Sequence, residues 1–119
     1  MKAFKLININ DTDCTFLEGS MPESVSIAVK HFVAQTKFEK YQFSAHPAPK
    51  YQFVITLKGK LKFTVTNGDS FIIEPGIILI AKDLKGEGHR WEILDGDLWE
   101  RIYIVPQQDA DDHFIENSK

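Results

Sequence analysis

The stretch YQFVITLKGKLKFTVTNGDSFIIEPG, Tyr51 to Gly76, decides the fold class, because it divides itself into short strands and turns. Tyr51 to Leu57 is rich in β-branched and aromatic residues and reads as one strand, and Leu61 to Val65 reads as a second beyond a turn at Gly59. Asn67-Gly68 is a strong hairpin signal, since both residues tolerate positive φ. Phe71 to Ile73 starts a further strand, and Glu74-Pro75-Gly76 turns the chain again.

The pattern extends in both directions. Downstream, Ile77 to Ala81 and the segment HRWEIL from His89 read as strands. Asp95-Gly96-Asp97 marks a turn, and LWERIYIV from Leu98 closes the series. Upstream, Val25, Ile27, Val29 and Val33 share one parity, so Val25 to Val33 is expected to be a half-buried strand with His31 on its inner or rim side. The segment KYQFSAHPAP is expected to be a strand that ends or bends at Pro47 and Pro49, because proline cannot donate to a central ladder. Turns recur every eight to twelve residues and no helical period intervenes, which predicts an all-β sandwich or barrel. The polar stretch from Pro106 is expected to be a loosely packed tail or a short helix, with His113 facing solvent.

Composition narrows the function classes. The chain has 119 residues, 43% hydrophobic and 26% charged, which suits one globular domain with a sizeable core. Its net charge of −3 argues against nucleic acid as a partner, since phosphate binding needs a basic face. There is one cysteine, Cys14, so no internal disulfide forms, and the thiol is expected to be a small buried apolar group. No apolar run is long enough to span a membrane, and MKAFKLININDTD lacks the apolar core of a signal peptide, so a cytoplasmic location is expected. No phosphate-binding glycine loop, no G-x-S-x-G elbow and no CxxC pair occurs.

Two clusters carry chemistry. Gln52 and Gly59 reproduce an E-x6-G spacing with Gln for Glu; His46 and Ala48 precede them, and Gly76, Gly86 and His89 follow. Together they resemble the two motifs of the cupin family, in outline G-x5-H-x-H-x3-4-E-x6-G and G-x5-P-x-G-x2-H-x3-N. Ala48 stands at the second histidine position, Lys82 where proline is expected and Ile93 at the closing asparagine; the loop before His89 is two residues longer. The resemblance covers roughly Tyr41 to Val105, and the HPAP-x2-QF and D-x2-G-x-GH segments look like a subgroup of small single-domain cupins. It implies an antiparallel jelly-roll β-barrel, a double-stranded β-helix. Residues 1–20 would be an N-terminal extension, 41–105 the barrel and 106–119 a polar tail. A homodimer is implied too, since small cupins commonly pair through their sheets.

Parity supports a shared site independently. His46, Ala48 and Gln52 share one parity, and His89, Trp91 and Ile93 share another, so facing strands would bring them into one cavity. The resemblance implies that His46, Gln52 and His89 could hold a divalent transition metal: zinc, iron, manganese, nickel or copper. Against the family's usual three histidines and one carboxylate, this chain offers two imidazoles and a neutral amide, with Asp83 or Glu87 as a further carboxylate source. Two functions follow. One is a small-molecule binding module using His46, Gln52, His89 and Trp91. The other is a metal-dependent enzyme of oxygenase or isomerase type.

Remaining aromatic and basic residues divide by expected surroundings. Phe32, Phe43, Phe53, Phe63 and Phe71 are expected in the core or a dimer interface, and Trp99 likewise. Arg90 and Arg101 are expected on the outward faces of their strands. Strands apolar on both parities, such as Phe53 to Leu57, also predict a second covered surface and hence a homodimer.

Overall fold

The structure is a computed structural model, and it describes residues 1–38 and 43–118. The ten strands are β1 (Lys2–Asn8), β2 (Cys14–Ser20), β3 (Val29–Gln35), β4 (Gln52–Lys58), β5 (Leu61–Thr64), β6 (Ser70–Ile73), β7 (Ile78–Lys82), β8 (Arg90–Ile93), β9 (Glu100–Pro106) and β10 (Ile115–Glu116). They form a seven-stranded sheet ordered β10-β2-β1-β7-β4-β9-β3 and a three-stranded sheet ordered β6-β5-β8. The protein is all-β, and among the described residues no helix is long and apolar enough to cross a membrane.

Period-two alternation explains the core. Phe4 and Leu6 of β1, Val54 of β4 and Leu79 of β7 pack against Leu61, Phe63, Phe71, Ile73 and Trp91 of the small sheet. The opposite parity of the large sheet, with Ala3, Phe53 and Ile80, forms a second cluster with Met21, Ile27 and Phe114 laid over it. Segments outside the ladder thus cover the second apolar face of β4 within the chain itself. Val65 to Asp69 makes the hairpin between β5 and β6, closed by Val65 N–H to Asp69 O (2.9 Å), with Gly68 at φ +93°.

Several expectations change. Residues 1–20 supply β1 and β2, and β1 lies inside the large sheet between β2 and β7. The β1–β7 pair is parallel, Phe4 opposite Leu79, so the ladder is mixed where antiparallel pairing throughout was expected. Among the described residues, two sheets with separate edges are observed and no closed barrel. Part of the reason lies at Pro47 and Pro49, which have no N–H to donate, so pairing beside them shrinks to one isolated bridge, His46 to His89. Phe43 to Ala45 form no strand, and the Lys40 to Gln42 portion of that expected strand lies outside the described residues. Val25 to Ala28 are likewise irregular, and β3 is an edge strand exposed at every position. With no neighbour beyond β3 among the described residues, His31 and Phe32 are exposed and not in a core. The C-terminal stretch holds no helix; β10 pairs with β2, and Asp112 is buried beside Lys5 while His113 is exposed as expected.

Candidate functional site

A cavity of about 340 Å³ opens between the two sheets, with His46, Gln52, His89 and Trp91 all on its wall. Gln52 enters it from the start of β4, opposite Ala81 of β7. The backbones of His46 and His89 exchange both hydrogen bonds, His46 N–H to His89 O at 2.9 Å and His89 N–H to His46 O at 3.1 Å. That exchange sets the imidazole centroids 5.5 Å apart. Ala48 also lines the cavity, so the three residues of shared parity converge as expected, although their segment is irregular.

Each imidazole is oriented through Nδ1. His46 Nδ1 meets the Ser44 carbonyl at 2.8 Å, and His89 Nδ1 meets Asp83 Oδ2 at 2.6 Å. Both carbonyl and carboxylate oxygens accept, so Nδ1–H donates in each case. Asp83 is fully buried, and its backbone carbonyl accepts from Ala48 N–H at 2.9 Å. One residue thereby fixes both halves of the site. Glu87, the other carboxylate considered, is exposed.

Aromatic rings make the apolar wall. Trp91 stands edge-on to Phe38 at 5.4 Å and to Trp99 at 4.8 Å. Trp99 donates its indole N–H to Thr56 Oγ1 at 3.1 Å, satisfying its polar atom inside the protein. Trp91 therefore sits beside the cavity, and Trp99 is both core and cavity wall.

Arg101 overturns its expected placement. It is 2% exposed and lines the same cavity, while Arg90 faces outward as expected. The guanidinium lies 4.3 Å over the Trp99 ring, and its nitrogens donate to Tyr103 Oη, the Trp99 carbonyl and the Thr36 and Lys37 carbonyls. Trp99, Arg101 and Tyr103 share a parity, and Trp99, expected in the core or a dimer interface, lies in the core. The same alternation carries the arginine inward too.

Cys14 is buried as expected, and burial first, with the Asp83 carboxylate adding to it, pushes its thiol up to about 11. Among the described residues no group of three or more His, Cys, Asp or Glu side chains converges as a metal cluster. No protein-family model, curated protein or solved structure matches the chain.

Proposed function

We propose that the chain is a cupin-like binding module that holds a small molecule in the cavity between its sheets. The observation that carries this is the convergence of His46 and His89, 5.5 Å apart, with Gln52 on the wall of one cavity of about 340 Å³. Pockets of this order take small organic ligands, with apolar walls for contact and a few polar groups for orientation. The cupin and jelly-roll readings rest on the motif resemblance, with the two facing sheets supporting them. A cytoplasmic homodimer is part of the same proposal. Exposed Val29, Phe32 and Val33 on edge strand β3 offer apolar surface to a second copy, and a monomeric mass by light scattering at micromolar concentration would remove it.

The test is extraction of purified protein with denaturant, followed by mass spectrometry of the released small molecules. A stoichiometric compound, absent from a His46→Ala, His89→Ala variant of unchanged circular dichroism, is expected. Protein that releases nothing and shows no Trp91 or Trp99 fluorescence response to a metabolite library argues against the reading.

A second reading, a metal-dependent enzyme, is favoured by one observation. Each imidazole has its Nδ1 tied to a backbone carbonyl or a carboxylate, the arrangement that orients histidine ligands of metals. His46 and His89 would hold zinc, iron, manganese, nickel or copper, with the Gln52 amide oxygen as third donor. The ion would act as a Lewis acid on a bound ligand. The donor set supplies two imidazoles and a neutral amide and brings no charge, because Asp83 already serves His89. Elemental analysis of untagged protein decides: one equivalent of metal lost in the double histidine variant supports this reading.

A further inference from the structure

We propose, resting on the small-molecule reading of the cavity, that its ligand is a carboxylate on a flat apolar body, with the charge held at Arg101. A guanidinium that is 2% exposed has given up nearly all its hydration, and a buried cation is costly unless an anion or a full set of acceptors replaces water. Among the described residues Arg101 has acceptors but no anion. Among the described residues its partners are Tyr103 Oη and the backbone carbonyls of Thr36, Lys37 and Trp99, every one neutral. The guanidinium has five N–H donors, and these four bonds leave one N–H on Nη2 without an acceptor.

The rest of the lining points the same way. No Asp or Glu among the described residues lines the cavity, although the chain as a whole carries a net charge of −3. Lys37 adds a second cation to the wall. The nearest carboxylate, Asp83, lies behind His89 and is engaged by it, so cations with no carboxylate on the wall itself favour an anionic guest.

One N–H plus the charge suits a monoanion. A phosphate, with more oxygens to satisfy, would find too few donors at Arg101. Trp91, Trp99 and Phe38 provide aromatic surface on the same cavity wall, which selects an aromatic or unsaturated body of modest size. Gln52 and His89 on the same wall offer polar groups to a substituent on that body.

The experiment compares matched probes on the full chain: benzoate and phenylacetate against benzamide and phenylacetamide, with inorganic phosphate as a third arm. Binding is read by quenching of tryptophan fluorescence and by thermal shift. The carboxylates are expected to bind about tenfold or more tightly than the amides, with affinity falling as salt rises. An Arg101→Gln variant should lose that preference while still binding the amides; Arg101→Lys, which keeps the charge, should retain part of it. Should the glutamine variant fail to fold, the wild-type acid-to-amide ratio and its salt dependence decide alone. Amides binding as well as acids overturns the carboxylate inference and leaves the cavity reading standing. Phosphate binding in preference to both carboxylates overturns it as well. No response to any probe, with no small molecule released on denaturation, overturns the cavity reading and this inference together.

Discussion

Asp83 Oδ2 stands 2.6 Å from Nδ1 of His89, with the carboxylate fully buried and the imidazole nearly so. Its other oxygen, Oδ1, has no hydrogen-bond partner among the described residues. A carboxylate held dry and half-satisfied persists because it fixes something else, here the ring orientation of His89 and, through its own carbonyl, Ala48. Asp83→Ala leaves the His89 N–H unpaired and should cost about 1–3 kcal/mol in urea unfolding. Asp83→Asn keeps an acceptor and should cost less. The ¹⁵N shifts of His89 provide the finer check: Nδ1–H in wild type, a mixture of tautomers in the alanine variant.

Gly88 makes the contact between the two histidine segments. Its φ is +74°, and a Cβ there would fall 2.0 Å from the His46 carbonyl carbon and 2.2 Å from Pro47 N. These neighbours are backbone and cannot swing aside. Gly88→Ala should therefore separate His46 from His89, lower stability by about 2 kcal/mol or more and abolish ligand retention. Gly68, at φ +93° with nothing within 4 Å of its Cβ position, is the control. Gly68→Ala should cost only about 1–2 kcal/mol of backbone strain and leave the cavity's binding unchanged.

How much of this was legible depended on which force placed each residue. From Gln52 to Val105, strands were visible because alternating apolar residues and glycine turns act locally, and Gly68 marks its hairpin by chemistry alone. His46, Gln52 and His89 were singled out by the motif resemblance and Trp91 by its parity with His89, and all four lie on the wall of one cavity. β1 and β2 were missed because Lys2, Lys5 and the polar Asn8–Asp13 stretch mask a strand whose partners, β2 and β7, include one far away in sequence. His31 went the other way, since alternation does not reveal that β3 ends the sheet with nothing beyond it. Arg101 was misplaced because charge suggested solvent, yet its parity with Trp99 pointed inward; the backbone carbonyls that make its burial tolerable lie on a segment no local pattern identifies.

Lys5 and Asp112 fasten the C-terminal stretch to β1. Their charged atoms are 2.6 Å apart, and both side chains are mostly buried. Burial works against ionising Asp112, but the Lys5 hydrogen bond and charge, the Phe114 N–H and the Lys82 charge together outweigh it and hold the carboxyl below its ordinary 3.8. A carboxyl lowered on folding stabilises the native state above its unfolded value, and that contribution fades as pH falls through the folded value. Asp112→Asn should thus lower the unfolding free energy by about 1–3 kcal/mol at pH 7. The gap between variant and wild type should begin to narrow below about pH 4, where the unfolded carboxyl takes up its proton, and close only as pH falls through the lowered folded value. Urea titrations at a series of pH values read both effects, and a gap that stays constant into acid would show that the ion pair contributes nothing.

Cys14 begins β2 with 1% of its surface exposed, and its N–H is bonded to Thr66 Oγ1 at 3.1 Å. Burial is the main reason the thiol is pushed up to about 11 from an ordinary 9.0, since a thiolate there would lose its hydration. Raised on folding, this group stabilises the native state fully below the unfolded value and loses that contribution as pH rises through about 11. Two consequences follow at pH 8. Iodoacetamide should leave the folded chain unmodified over hours while labelling it within minutes in concentrated urea, as read by intact mass. Above about pH 9, wild type should lose stability faster than Cys14→Ala, which has no proton to release. Rapid labelling of the native protein at pH 8 would mean that β2 opens locally at that position, and that the β1–β2 hairpin is far less firmly held than its place in the sheet implies.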